Sequence, residues 1–282
     1  DSVPDSAACN LSVKLAVDHG FGSLRGFVNG VLRNIARNRD GIKYPDKNTS
    51  PLEYYSVEYS VPVELVEILL QDYDSETVDR ILGSSYEMRP TSIRVNTDRI
   101  SVDEFERKLE AAGIETVRGS LNDTSLLIKG YDYVRRIPGF MDGEFVVQDQ
   151  SSCLAVKAAG IQEGDLVVDV CAAPGGKTMY AASLAGQTGR VISRDLTENK
   201  TELIEENVDR LGLTNVTVEA WDARELDENL VGKADVVIAD LPCSGLGIMG
   251  RKNDIKYNVT GDSIDELAQL QRDILDTVSG YV

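Results

Sequence analysis

The sequence predicts an α/β protein whose C-terminal half is a parallel sheet covered on both faces, joined to a small α+β unit and a short helical segment. From about Glu144 onward, short apolar runs alternate with helical stretches. The runs are nearly continuous in Val, Ile and Leu, the mark of strands buried on both faces. Residues 45–143 show a mixed pattern, and residues 1–44 a helical one. The expected units are therefore 1–44, 45–143 and 144–282.

Taken in order, the first helix is expected from Ser6 to Asp18. In the next, Leu24, Phe27, Val28, Val31, Leu32 and Ile35 share one face. Arg33 and Arg37 lie one turn apart near its end, and Asp40-Gly41 is expected to stop it. Two helices enclose no core, so 1–44 reads as the tail of a helical domain. Asp1-Ser-Val-Pro-Asp-Ser, with neither an initiating Met nor a signal segment, reads as a cut end. In the second unit, Ser60 is expected to cap a helix with Pro62 in its first turn and Leu65, Val66 and Leu69 on its apolar face. Ser101-Val-Asp-Glu104 is a capping box for a helix carrying Phe105, Leu109 and Ala112, ending at Gly113. Extended runs at Thr91–Asn96 and Ser125–Ile128 flank it. Arg89, Arg94, Arg99, Arg135 and Arg136 offer a local basic surface; the ordinary alternative is solvated surface arginines.

In the third unit, strands are expected at Phe145–Val147, Leu166–Val170, Arg190–Ser193, Val216–Glu219 and Asp235–Ala239. Helices are expected from Ser152, from Gly175 and over Glu198–Leu211. Ser263-Ile-Asp-Glu266 is read as a capping box opening a last helix with Leu267, Leu270, Ile274 and Val278.

Composition narrows the function. No apolar run approaches the length of a membrane span. The four cysteines (Cys9, Cys153, Cys171, Cys243) have no CxxC spacing, which argues against zinc or a disulfide framework and for reduced thiols in the cytoplasm. A net charge of −18 argues against a protein that coats nucleic acid, since phosphate binding rests on Lys and Arg. A local basic surface is still compatible with it. The one histidine, His19, lies on a helical segment far from the loops below and is not expected to act as a base.

Two loops carry chemistry. Leu166–Val170 feeds into Cys171-Ala172-Ala173-Pro174-Gly175-Gly176-Lys177-Thr178, small residues at a strand-to-helix turn. There the backbone admits a ligand and the helix N-terminus offers free N–H donors. The stretch is one residue short of a phosphate-binding P-loop, because position 171 is Cys where that motif needs Gly. Pro174 also removes a donor that a phosphate cradle would use. A P-loop-like ATPase is thus the alternative this loop leaves open. Asp195, nineteen residues after Gly176, ends the second strand, where a nucleoside-binding sheet places the carboxylate for ribose hydroxyls. Asp222 follows the third strand and Asp240 ends the fourth. Acids at successive strand ends are expected to line one crevice, suiting a nucleoside with a sulfonium and an ammonium. Asp240-Leu-Pro-Cys243-Ser-Gly-Leu-Gly adds a thiol beside it. A thiol is what methylation at cytosine C5 requires, because C5 becomes nucleophilic only after addition at C6. A buried, inert cysteine is the ordinary alternative.

These residues resemble the Nol/Nop/Sun family of RNA cytosine-5 methyltransferases, and in detail its bacterial member acting on small-subunit ribosomal RNA. Gly26-Phe-Val-Asn-Gly-Val-Leu-Arg33 looks like the end of the family's NusB-like RNA-binding domain, and Gln148-Asp-Gln-Ser-Ser152 like the lead-in to its catalytic domain. Cys171–Lys177 matches its S-adenosylmethionine loop; Asp240–Gly245 with Arg251-Lys-Asn-Asp-Ile-Lys256 matches its Pro-Cys motif and the stretch beyond. The resemblance implies a Rossmann-like methyltransferase sheet, with Cys171 to Lys177, Asp195, Asp222 and Asp240 on S-adenosylmethionine. It implies 16S ribosomal RNA as partner; neither metal nor membrane is expected from the composition, and a monomer is favoured. It assigns Cys243 to product release and the attacking cysteine to a Thr-Cys pair, which is absent from these 282 residues. The chain is therefore expected to be truncated at both ends and to turn over poorly. Leu241 stands where the family usually has Ala or Val. A non-catalytic RNA-binding or ribosome-assembly factor is a further alternative.

Overall fold

Helix-forming sequence dominates the first 82 residues, and sheet enters only beyond them. The computed structural model describes residues 3–282, so the cut end expected at Asp1-Ser2 lies outside the described residues. The chain divides into two units, Asp1–Leu82 and Gly83–Val282.

In the first unit, α1 (Asp5–Asp18) packs against α2 (Arg25–Arg37). Helix α2 ends at Arg37, with Asn38 at the C-cap, ahead of the expected Asp40-Gly41 stop. Its apolar stripe is exposed at Phe27, Val31 and Ile35, as are Leu11 and Leu15 of α1. Most of the unit's buried side chains lie instead in α3 (Pro51–Glu58), α4 (Val63–Asp72) and α5 (Ser75–Gly83). Tyr55, Leu65, Val66, Val78 and Leu82 are buried there, and the Tyr55 hydroxyl donates to the Ser75 carbonyl at 2.9 Å. Ser60 does not cap α4. Its backbone is left-handed (φ 49°), and α4 begins at Val63 with Pro62 in the N-cap position and no side-chain cap.

The second unit holds two four-stranded sheets. The first consists of β1 (Thr91–Val95), β2 (Glu115–Arg118), β3 (Ser125–Lys129) and β4 (Phe145–Val147), in the order β2-β3-β1-β4. All its pairings are antiparallel. Phe145–Val147, expected as the first strand of the alternating α/β pattern, therefore joins this sheet, with Val95 opposite Phe145 and Ile93 opposite Val147. A three-residue apolar run shows burial but says nothing of its pairing partner. Helix α6 (Val102–Ala111) opens on the expected capping box: the Glu104 N–H donates to Ser101 Oγ and the Ser101 N–H to Glu104 Oε2, each at 3.3 Å. Successive strand residues face opposite sides. Ile93 and Val95 of β1 therefore pack with Phe105, Leu109 and Phe145, while Ser92 and Arg94 face the other way, towards α7 (Gln150–Ala158) and α8 (Gly176–Ala185). Arg94 is only 3% exposed, its guanidinium 4.4 Å from the centre of the Tyr180 ring. It is neither basic surface nor solvated arginine; it packs between the small sheet and the helices of the large one.

The second sheet is wholly parallel, built from β5 (Leu166–Asp169), β6 (Arg190–Asp195), β7 (Val216–Ala220) and β8 (Val236–Ile238), in the order β7-β6-β5-β8. Val167 and Val191 face α7 and α8, and α9 (Glu198–Leu211) covers Val216 and Val218 on that same face. Val168 and Ile192 face the opposite side, where α10 (Gly261–Val278) brings Ile274 and Val278. Helix α10 starts earlier than expected. Thr260 and Ser263 form the reciprocal cap, and Ser263 lies inside the helix. No helix among the described residues is long and apolar enough to cross a membrane.

Gly143, just before β4, packs at close quarters against the end of α9. Its φ is +68°, and a Cβ there would sit 2.4 Å from the Arg210 carbonyl oxygen and 3.1 Å from Leu211 Cα. Backbone strain and overpacking then add. Gly143→Ala is expected to destabilise the chain by about 2 kcal/mol or more. Urea unfolding checks this; an unchanged midpoint would contradict the close packing.

Candidate functional site

The parallel sheet runs outward from β5 through β6 to β7, then returns to add β8 on the other side of β5. Where strand order reverses, an open α/β sheet leaves a crevice beyond the carboxyl ends of its strands. A crevice of about 220 Å³ lies there. Asp169 at the end of β5, the loop Cys171–Pro174, Gly176 and Lys177 of α8, and Asp240 beyond β8 form one part of its wall. Val147 to Asp149, Ser152 and Arg251 form the other.

The glycine loop works as its sequence suggests. Gly175 is left-handed (φ +98°), a conformation that strains any side chain, and a Cβ there would also crowd Ile204 Cγ2 at 3.3 Å. It occupies the N-cap of α8 without a side chain to cap it. The first N–H groups of α8, with the positive end of its dipole, are therefore available to a ligand beside Gly176 and Lys177.

The carboxylates take separate places. Asp169 is fully buried. Its Oδ2 accepts from Thr178 Oγ1 at 2.7 Å, and that hydroxyl also bonds Ser193 Oγ at 2.8 Å. Its Oδ1 has no partner among the described residues. Burial pushes the carboxyl up to about 7, against the opposing pull of the Thr178 bond and the Lys177 charge. Asp240 lines the crevice and is ion-paired with Lys177. Asp195, at the end of β6, is 4% exposed and stands behind the loop. Its Oδ2 accepts from the Ala173 N–H at 2.9 Å, and its Oδ1 from the Leu196 N–H and the Lys200 ammonium, both at 2.8 Å. Asp222, beyond β7, is taken up by Arg224, which donates from its backbone and its Nε at 3.0 Å and holds the carboxyl below its usual range. The three strand-end acids expected along one crevice thus take different positions around it. Asp240 lines it, Asp195 braces the loop from behind, and Asp222 lies one strand further out.

Cys243 is exposed and outside the crevice lining. Its loop is tied to α10 by Gln271, whose Nε2 donates to the Pro242 carbonyl at 2.6 Å. Gly175, Asp195, Asp222 and Cys243 are the expected site residues absent from the lining. Asp169, at the head of the loop, also belongs to the lining, as do Gln148 and Arg251, to which no site role was assigned from the sequence. Asp169 was legible as the polar residue closing an apolar strand. Arg251 was not, because its bidentate pair with Asp149 (2.9 Å to each oxygen) spans a hundred residues of chain.

Comparison with known proteins agrees with this architecture. Residues 157–282 match the family described as 16S rRNA methyltransferase RsmB/F. Residues 61–134 match the ferredoxin-like domain of RsmF/B-like methyltransferases, and residues 1–37 the NusB family. The chain is 35% identical over 284 residues to the probable ribosomal RNA small subunit methyltransferase B of Bacillus subtilis (strain 168), covering all of this chain and 63% of that protein. It thus spans a little under two thirds of that relative's length. Among solved structures, the crystal structure of the protein PH0851 superposes with a TM-score of 0.85 at 27% identity, covering 100% of this chain and 62% of the other. A methyltransferase homolog from Pyrococcus horikoshii superposes with a TM-score of 0.67 at 26% identity, over 79% of this chain and 70% of the other. Residues 157–282 thus belong to the RsmB/F family of methyltransferases, preceded in the same sequence by a ferredoxin-like segment of that kind and by a NusB-type segment.

Proposed function

We propose that the crevice between β5 and β8 holds S-adenosylmethionine and that the chain serves methylation of C5 of a cytosine in 16S ribosomal RNA. One observation carries the cofactor reading. The same small crevice offers an unpartnered, buried carboxyl oxygen on Asp169 and a second carboxylate, Asp240, beside the uncapped N-terminus of α8. Acceptors next to donors suit the ammonium and carboxylate of an amino acid. A triphosphate would face two carboxylates, and Pro174 supplies no N–H to it. That weighs against the ATPase alternative.

When bound, S-adenosylmethionine supplies an electrophilic methyl group. Asp195 presents its remaining Oδ2 lone pair to the ribose hydroxyls. Cys171 to Lys177 form the floor, and Asp222 serves the adenine side. In the cytosine chemistry a thiolate adds to C6, making C5 nucleophilic. After methyl transfer the C5 proton leaves and the C6–S bond breaks, returning the thiolate. Cys243 serves that release. RNA as substrate rests on the family; the small-subunit relative is the nearest support.

The chain is tested with labelled S-adenosylmethionine and protein-free small-subunit RNA, with products read as nucleosides. Any product formed is expected to be 5-methylcytidine, slowly made because residues 1–282 contain no Thr-Cys pair. Methyl groups on N4 or on ribose would overturn the C5 reading. Fast formation of 5-methylcytidine would make Cys243 the attacking thiol rather than the releasing one.

A further inference from the structure

We infer that Gln148, oriented from behind by the buried Arg94, is a binding residue for the carboxylate of the cofactor's amino-acid part. The inference rests on the proposal that S-adenosylmethionine occupies the crevice. Gln148 lines that crevice and is 5% exposed. Its Oε1 accepts from Arg94 Nε at 2.8 Å, while its Nε2 has no partner among the described residues.

The side-chain amide cannot be read either way round. A guanidinium only donates, so the atom facing Arg94 must be the carbonyl oxygen. The NH₂ group must then point elsewhere, as a donor. The side chain lies against the start of α8: a Cβ built on Gly176 would be 3.7 Å from Gln148 Nε2 and 3.8 Å from its Cδ and Cγ. The first turn of α8 is uncapped at Gly175 and carries the positive end of the helix dipole. Two independent donor sources therefore converge on one wall, an amide whose orientation is locked and a helix N-terminus.

Arg94 explains why the lock holds. The guanidinium is buried on β1, stacked 4.4 Å from the Tyr180 ring, and its Nη2 has no hydrogen-bond partner among the described residues. Burial holds it below its usual pKa, but an arginine remains charged. Gln148 is the acceptor it holds at Nε, and a flip of the amide would set two donors against each other in a buried place. Arg94 is thus a positioning residue, and Gln148 is the one that touches the ligand. The opposite polarity lies close by in the same crevice, at Asp169 Oδ1 and Asp240. An α-amino acid zwitterion needs such a division.

The test pairs one substitution with two ligands. Gln148→Leu removes the donor, and calorimetry measures binding of S-adenosylmethionine and of its decarboxylated form, which lacks only the carboxylate. Losing a hydrogen bond to a charged group is expected to weaken S-adenosylmethionine by about tenfold to a hundredfold. The decarboxylated ligand should change by about threefold or less. Gln148→Glu, which can still accept from Arg94 but sets a carboxylate oxygen towards the crevice, should discriminate in the same direction and more strongly. Thermal melting of both variants reports whether the fold is kept. Equal loss for both ligands, or no loss for either, would overturn the assignment. If the wild-type chain bound neither ligand, the cofactor reading itself would fall, and this inference with it.

Discussion

Asp195→Ala is expected to weaken S-adenosylmethionine binding by about a hundredfold or more, since a charge-assisted bond to the ribose and the loop's own brace are lost together. The carboxylate already accepts the Ala173 N–H, the Leu196 N–H and the Lys200 ammonium. Removing it leaves the loop N–H without its acceptor and a cation without its partner. Asp195→Asn separates the two roles, because the amide can still accept from Ala173 while its charge is gone. Calorimetry should rank the wild type first, Asp195→Asn second and Asp195→Ala last. An affinity within about threefold of wild type for Asp195→Ala would show that Asp195 neither holds ribose nor supports the loop.

A second large effect follows from the burial of Asp169. Its carboxyl is raised from 3.8 to about 7 in the folded chain, chiefly by desolvation. Between those values the folded state keeps a proton that the unfolded state has lost. Stability is therefore greatest below about pH 4 as far as this group is concerned, and falls as pH rises to about 7, by a few kcal/mol in all. Asp169→Asn removes this dependence, so the wild-type melting temperature should fall relative to the variant's as pH is raised from about 5 to 8. Parallel curves would show that the carboxyl is not held neutral. A cationic ammonium beside Oδ1 would also favour the ionised form, so cofactor binding near neutral pH should release a proton. Calorimetry in buffers of different ionisation enthalpy detects it.

How much of this was legible in the sequence depended on whether the signal was local. Helix α9 occupies the expected Glu198–Leu211, because its period and its flanking Thr197 and Gly212 are local. The Ser101 box is likewise local and present as expected. At α10 the expected cap, Ser263, lies inside the helix that Thr260 caps three residues earlier, so the helix was legible but its first turn was not. Phe145–Val147 was legible as a strand but not as antiparallel, since pairing is a long-range choice. Helices α3 and α5 went unread; both are short, and the weak periodicity of α3 offers little to read. At the site, the glycine loop announced itself through residue type and position. The division of labour among the acids did not. Asp195, Asp222 and Asp240 look alike as strand-end carboxylates, and only the strand order and their partners separate lining from bracing. Arg94 is the clearest case. A lone arginine on a strand reads as surface until the second sheet's helices are seen to cover it.

The central claim is that the crevice at the β5–β8 reversal takes S-adenosylmethionine. Its most direct test is a calorimetric titration of the chain with S-adenosylmethionine and, separately, with Mg²⁺·ATP. Saturable binding of S-adenosylmethionine, lost in Asp195→Ala, with no heat from Mg²⁺·ATP is the predicted result. Binding of Mg²⁺·ATP that Lys177→Ala removes, with no binding of S-adenosylmethionine, would contradict it.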